Sequence, residues 1–143
     1  MNNTLFSLHP RLAADTIAIA DLPLCRLLLA NDNHYPWTIL VPRRDGIREA
    51  YELTEQDQLQ LLTESNALSK ALVRLFNPDK LNIAALGNMV PQLHIHHIAR
   101  FTSDHAWPAP VWGVADATPY PEPEIRQVKA RLLEEISLKK TAL

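Results

Sequence analysis

One cysteine in 143 residues, Cys25, leaves no internal disulfide, and a lone thiol suits a reducing cytoplasm. Positive charge is not in excess: 14 Lys and Arg stand against 16 Asp and Glu, for a formal charge of −2. That balance argues against a protein that holds nucleic acid through its phosphates, although a single basic pocket could take a nucleotide. No apolar run approaches the roughly 20 residues of a membrane-spanning helix. The opening stretch Met1–Pro10 has neither a basic region nor a long apolar core, so no signal peptide is expected. Internal repeats and low-complexity segments are lacking too. What is present is 47% apolar and 21% charged residues, in a length that suits one domain with a real core. The expectation is a cytoplasmic protein with neither membrane nor nucleic acid as partner.

Along the chain, Pro10 opens a short helix over His9–Ala14, and Thr16–Ala20 reads as a strand closed by Asp21 and Pro23. Leu24–Ala30 and Trp37–Val41 are two further apolar runs. The turn residues Asn31–Pro36 between them predict a hairpin. Thr54 with Asp57 marks a helix start; Leu61, Leu68, Leu72 and Leu75 follow at helical spacing, and Asn77-Pro78 ends it. Leu81–Leu86 is a fourth strand, Gly87–Pro91 a turn, and the segment after it a fifth strand. Beyond Arg100 the proline-rich Trp107–Gly113 and Pro119–Pro123 fit neither helix nor central strand and are expected to wrap the surface. Ile125, Val128, Leu132 and Ile136 then mark an amphipathic C-terminal helix. The fold class is α+β: an antiparallel sheet of about five strands, one long helix packed on it, and a C-terminal helix.

Residues 92–100 read Gln-Leu-His-Ile-His-His-Ile-Ala-Arg. On a strand, side chains alternate, so Gln92, His94 and His96 share one face at about 7 Å intervals, while Leu93, Ile95 and His97 take the other. A row of polar rings on a rigid element suits three readings. It could be structural. It could bind a metal, since His-x-His points two nitrogens one way; the further ligands would be His34, His105, Asp32 or Asp104, none at a characteristic spacing. Or it could act as a nucleophile at phosphorus. Neutral imidazole attacks well near pH 7 when one nitrogen is free and the other N–H is held by an acceptor. Flanking donors then stabilise charge on the phosphoryl oxygens. The middle position, His94, is the natural nucleophile.

The segment resembles the signature of the histidine-triad (HIT) superfamily of nucleotidyl hydrolases and transferases, His-φ-His-φ-His-φ-φ with φ hydrophobic. Ala99-Arg100 follows it much as Pro-Arg often does in that family. Gly87-Asn88 stands where the family commonly has Gly-Gln, and Asn31 with Ile39–Pro42 resembles its nucleoside-binding strand pair. The resemblance spans roughly residues 10–105. It divides the chain into a HIT-like domain, 1–113, and a proline-rich linker with the C-terminal helix, 114–143.

The resemblance implies that His94 takes the α-phosphate as a nucleotidyl-histidine intermediate, and that His96 donates to the phosphate or leaving group. Asn88 would contact phosphate oxygens, Asn31 would lie near the ribose, and Leu27 and Leu29 would wall the base. It implies a homodimer, with no metal at the site and no tightly bound cofactor, although polyphosphate substrates often travel with Mg²⁺. The expected activity is hydrolysis of phosphorus anhydride or phosphoramidate bonds in dinucleoside polyphosphates or related conjugates. The first triad position is Gln92, which cannot shuttle a proton, His97 occupies a normally hydrophobic place, and Trp37 stands about where many members carry another histidine. These departures keep a second reading alive, a nucleotide-binding regulatory protein with weak or lost catalysis.

Overall fold

The computed structural model of the protein describes residues 6–143; residues 1–5, the first half of the stretch in which no signal peptide is expected, lie outside them. Pro10–Asp15 forms α1. Three strands follow, β1 (Thr16–Asp21), β2 (Cys25–Ala30) and β3 (Trp37–Pro42), then the long helix α2 (Glu55–Phe76). After α2 come β4 (Lys80–Ala84), β5 (Ile95–Arg100), α3 (Glu122–Glu135) and the short β6 (Thr141–Ala142). The strands make one sheet in the order β4-β5-β3-β2-β1-β6, and every pairing is antiparallel. The expected hairpin is β2–β3. The sixth strand is an addition, because Thr141–Ala142 is too short for any alternation to show and exists only by pairing with Ala20 and Asp21.

Helix α2 begins where its cap predicts, the Thr54 side chain accepting the Asp57 N–H at 3.1 Å. It ends at Asn77, whose φ of 47° is the left-handed turn that asparagine tolerates, with Pro78 blocking continuation. Its buried residues Leu68, Ala71 and Leu72 pack on Leu27, Leu29 and Leu40 of the sheet, and Leu132 and Ile136 from α3 enter the same core. Each fully buried leucine contributes about 1.5–3 kcal/mol. A polar contact fixes the helix to the sheet. Glu64, wholly buried, accepts the Leu24 and Cys25 N–H groups at 2.7 and 2.8 Å, and the Gln60 amide at 2.7 Å. Burial, then the Glu64 carboxylate, pushes the Cys25 thiol well up, so this cysteine is inert.

The opposite face of the sheet carries Leu28, Ala30, Ile39 and Val41, covered by Leu12 of α1 and Val90 of the turn before β5. The tail is fastened by Arg100, 1% exposed, which meets Asp104 through two hydrogen bonds of 2.7 and 3.0 Å and donates to the Ala109 carbonyl at 2.8 Å. Trp107 lies under the same guanidinium. Burial opposes ionisation of Asp104, but Arg100 and the Phe101 and Trp107 N–H groups outweigh it and hold the carboxyl at about 2. Trp107 and Trp112, expected on the surface with the proline-rich tail, are half-buried instead.

Candidate active site

Strand β5 starts at Ile95, later than the sequence pattern suggests. The Leu93 N–H is taken by the Ile47 carbonyl, so Gln92, Leu93 and His94 approach the sheet as irregular chain. The expected row of three is therefore broken. The Gln92 carboxamide turns to the amino-terminal segment, accepting the His9 N–H at 2.8 Å and donating to the Ser7 carbonyl at 3.0 Å. It is a clamp, and its side chain does not flank His94 as a triad member. Its backbone does more: the Gln92 carbonyl oxygen lies 2.7 Å from His94 Nδ1.

That contact assigns the ring chemistry. A carbonyl only accepts, so His94 carries its proton on Nδ1, and Nε2 keeps a lone pair with no partner among the described residues. The same logic settles its neighbours. His96 Nδ1 accepts the indole N–H of Trp37 at 2.9 Å, and its Nε2–H donates to the Leu86 carbonyl at 3.1 Å. On the other face, His97 Nδ1–H donates to the Ile95 carbonyl at 3.1 Å and Nε2 accepts the Ser65 hydroxyl at 2.7 Å. Each ring is almost sealed, His94 and His96 at 5% exposure and His97 at 0%. Burial pulls His96 down to about 4, with the charge of His94 the next cause; His97 falls to about 4 through burial alone. Both are neutral near pH 7.

The His94 and His96 rings meet edge to face at 5.0 Å between centroids. Trp112, from the proline-rich tail, packs on His96 at 5.0 Å and on Trp37 at 5.7 Å. Gly87 makes this closeness possible: a Cβ there would sit 2.8 Å from His94 Cε1 and 2.8 Å from the Val90 carbonyl oxygen.

His94 stands between two cavities. The larger, about 750 Å³, is walled by Leu12, Ala30, Ile39, Trp37 and Trp112, with Asn31 and Asp32 along its side. The smaller, about 440 Å³, is polar and bounded by Arg48, Glu49, Tyr51 and Gln92. Asn88 and His94 border both. Asn31 lines the larger cavity, its Oδ1 already accepting the Tyr120 N–H at 2.9 Å. Leu27 and Leu29, expected to wall the base, do not line it. Strand alternation sends both to the α2 face, where they are wholly buried with Leu68 and Leu72. The residues that wall the cavity from this hairpin are Ala30 and Ile39. Among the described residues, no group of three His, Cys, Asp or Glu side chains is arranged to hold a metal ion. Asp32, His34 and His105 do gather. Asp32 Oδ1 lies 2.6 Å from His34 Nδ1, and the His34 and His105 rings meet at a tilt of 34° with centroids 4.9 Å apart.

The sequence pattern of the HIT domain matches residues 11–103. The chain belongs to the HIT domain family. A histidine triad protein of Marinobacter aquaeolei is 56% identical to it, with a TM-score of 0.88, covering 92% of this chain and 98% of that one. One from Bradyrhizobium japonicum is 50% identical at a TM-score of 0.90 with the same coverages. A third, from Sinorhizobium meliloti, is 47% identical at 0.92, covering 94% of this chain and 99% of that one. No curated protein matches the chain. HIT membership places the protein among nucleotide-binding or nucleotide-hydrolysing proteins, and the His94 segment lies inside the matched region. Trp37 and Trp112 are the site residues that sequence reasoning misses. Trp37 stands out there only as a departure from the family, and nothing local says that a tryptophan 16 residues beyond His96 folds back over it.

Proposed function

We propose that this HIT protein is a nucleotidyl hydrolase that cleaves dinucleoside polyphosphates or related nucleotide conjugates through a nucleotidyl-histidine intermediate on His94. The observation that carries the reading is the His94 ring itself. Its Nδ1–H is held by the Gln92 carbonyl, and its Nε2 is free between an apolar and a polar cavity. The apolar cavity, with Asn31 at its side, suits a nucleoside; the polar one suits the departing half. Asn88 borders both, and we assign it to the phosphate between them. Water then cleaves the N–P bond and restores His94, so kinetics are of the double-displacement type. No cofactor is needed, and Mg²⁺ accompanies the polyphosphate as part of the substrate.

We also place the protein in the cytoplasm as a homodimer. Among the described residues no helix is long and apolar enough to cross a membrane. At the open β4 edge of the sheet, Ile83 is exposed, as are Leu59, Leu62 and Val73 of α2. The competing reading is a nucleotide-binding protein without turnover, and the diversion of the Gln92 side chain to Ser7 and His9 favours it. Incubation with diadenosine tetraphosphate separates the two. Release of AMP by the wild type and not by His94→Ala supports hydrolysis; equal release by both would remove His94 from the mechanism. Tight nucleotide binding with no release would leave the regulatory reading.

A further inference from the structure

When His94 attacks phosphorus, something must depart, and its chemistry depends on whether a proton is delivered to it. An amine or alkoxide cannot leave without one, whereas a phosphate or nucleoside phosphate departs as a stable anion near neutral pH. The imidazole placed to supply that proton is His96, 5.0 Å from His94. As a neutral ring it can donate a hydrogen bond but has no acidic proton to transfer. Its Nδ1 accepts the Trp37 indole N–H at 2.9 Å, and an indole nitrogen only donates. Nδ1 must therefore keep its lone pair, and the ring's sole proton sits on Nε2, on the Leu86 carbonyl. A second proton would set N–H against N–H inside a box closed by Trp37 and Trp112.

We infer that the site, read as the hydrolase above, selects substrates whose leaving group departs as a stable oxyanion and is slow on nucleoside phosphoramidates of aliphatic amines. Trp37 is the positioning residue that enforces the choice. In the first step His94 Nε2 forms the N–P bond while the P–O bond breaks, and the electron pair leaves with the bridging oxygen; no proton is transferred to it. His96 lends its Nε2–H to a phosphoryl oxygen in exchange for the Leu86 carbonyl. Water next attacks phosphorus, its oxygen staying there and its proton passing to solvent, and the pair of the broken N–P bond returns to Nε2.

Among the described residues, no side chain bonded to His96 or packed on it replaces the missing acid. The Gln92 amide has no acidic proton, and His97 is on the far face, bound to Ser65. The strands beside His96 present Ile39 and Ala84 in register with it. The tail presents Trp112. Its titratable neighbours are His94 and His97. The titratable and charged groups of the cavity walls are Arg11, Asp15 and Asp32 on the apolar side and Arg48, Glu49, Tyr51 and Glu52 on the polar side, and Tyr51 stands out in solvent at 79% exposure. The Glu52 carboxyl is held below its usual range by the Glu49 and Arg48 N–H groups. The low position of His96 agrees with the geometry.

Two readouts test this. Nitrogen-15 NMR of histidine-labelled protein reads the His96 ring directly. The Nε2-protonated tautomer is expected to persist from pH 8 to pH 5, and in Trp37→Phe the ring should titrate at least about one unit higher. Turnover near pH 7 is then compared for diadenosine tetraphosphate, an adenosine phosphoramidate and adenosine 5′-aryl phosphates of graded leaving-group acidity. The wild type should cleave 4-nitrophenyl over phenyl esters, and tetraphosphate over phosphoramidate, by roughly 100-fold or more. Trp37→Phe should narrow both gaps by about tenfold. Equal rates on phosphoramidate and tetraphosphate, or a charged or Nδ1-protonated His96 in the wild type, overturn the inference and leave the hydrolase standing. No turnover of any substrate overturns both.

Discussion

Replacing Gly87 with alanine places one carbon against the His94 ring, the nucleophile of the proposed mechanism. The new Cβ would lie 2.8 Å from His94 Cε1, 2.8 Å from the Val90 carbonyl oxygen and 3.4 Å from His94 Nδ1. Carbon atoms in contact sit at about 3.5–4.0 Å, so something must retreat by roughly 0.7–1.2 Å. Val90 contributes backbone, which yields least, and the imidazole is therefore the part that moves. Cε1 lies between the two ring nitrogens. Its displacement strains the 2.7 Å bond to the Gln92 carbonyl and re-aims Nε2 together. Overpacking of this kind costs about 1–3 kcal/mol. For 143 residues the unfolding entropy is about 0.3 kcal/mol per kelvin, so the melting temperature should fall by roughly 3–10 °C. Misplacement of a nucleophile by about 1 Å costs on the order of 100-fold in rate. Circular dichroism melts and saturating hydrolysis of diadenosine tetraphosphate measure the two effects. A Gly87→Ala protein with wild-type kcat and melting temperature would refute the close approach and the positioning argument built on it.

Asp104→Ala should lose about 3–5 kcal/mol in urea unfolding, because Arg100 is left charged and buried without its carboxylate; a loss under about 1 kcal/mol, the range of an exposed pair, would show that the pair is not structural. Glu64→Leu strips the acceptor from two buried N–H groups, at about 1–3 kcal/mol each, and an unchanged urea midpoint would contradict that count. Below neutrality His96 and His97 both weaken the fold. The unfolded imidazoles titrate near 6.5 and bind more protons than the native rings at about 4, so their contribution is complete above pH 6.5 and is lost as pH falls toward 4. In His97→Gln the acid-side decline should be shallower, and an identical pH profile would assign the loss elsewhere.

Elements whose identity depends on neighbouring residues in the chain are legible in the sequence itself. Thr54, Asp57 and Asn77-Pro78 bracket α2, and the turn residues after Ala30 announce the β2–β3 hairpin. His94 is legible for the same reason, since its flanking positions alone mark it. Features set by distant partners are not. Strand alternation puts Leu27 and Leu29 on one face, but which face meets α2 is decided by Leu68 and Leu72, some 40 residues away. Gln92 keeps the polar spacing of the triad, yet Ser7 and His9 claim its amide, and the Leu93 bond to Ile47 delays the strand until Ile95. β6 has no local signal at all.

The tail is tied to the site at the β2–β3 turn, where the Thr118 and Tyr120 N–H groups bond Asp32 and Asn31, and the Thr118 carbonyl accepts the Asn33 N–H. Through those ties it carries Trp112, Ala117 and Pro119 into the wall of the apolar cavity. All three lie beyond residue 103, where the HIT match stops. The His94 ring and the roof above it are therefore supplied by separate parts of the chain, one inside the matched region and one beyond it. Grafting a different 106–120 segment onto this chain would reshape the chamber while leaving the Gln92–His94 contact in place, so the bound group can be reselected with no change in the segment that presents His94.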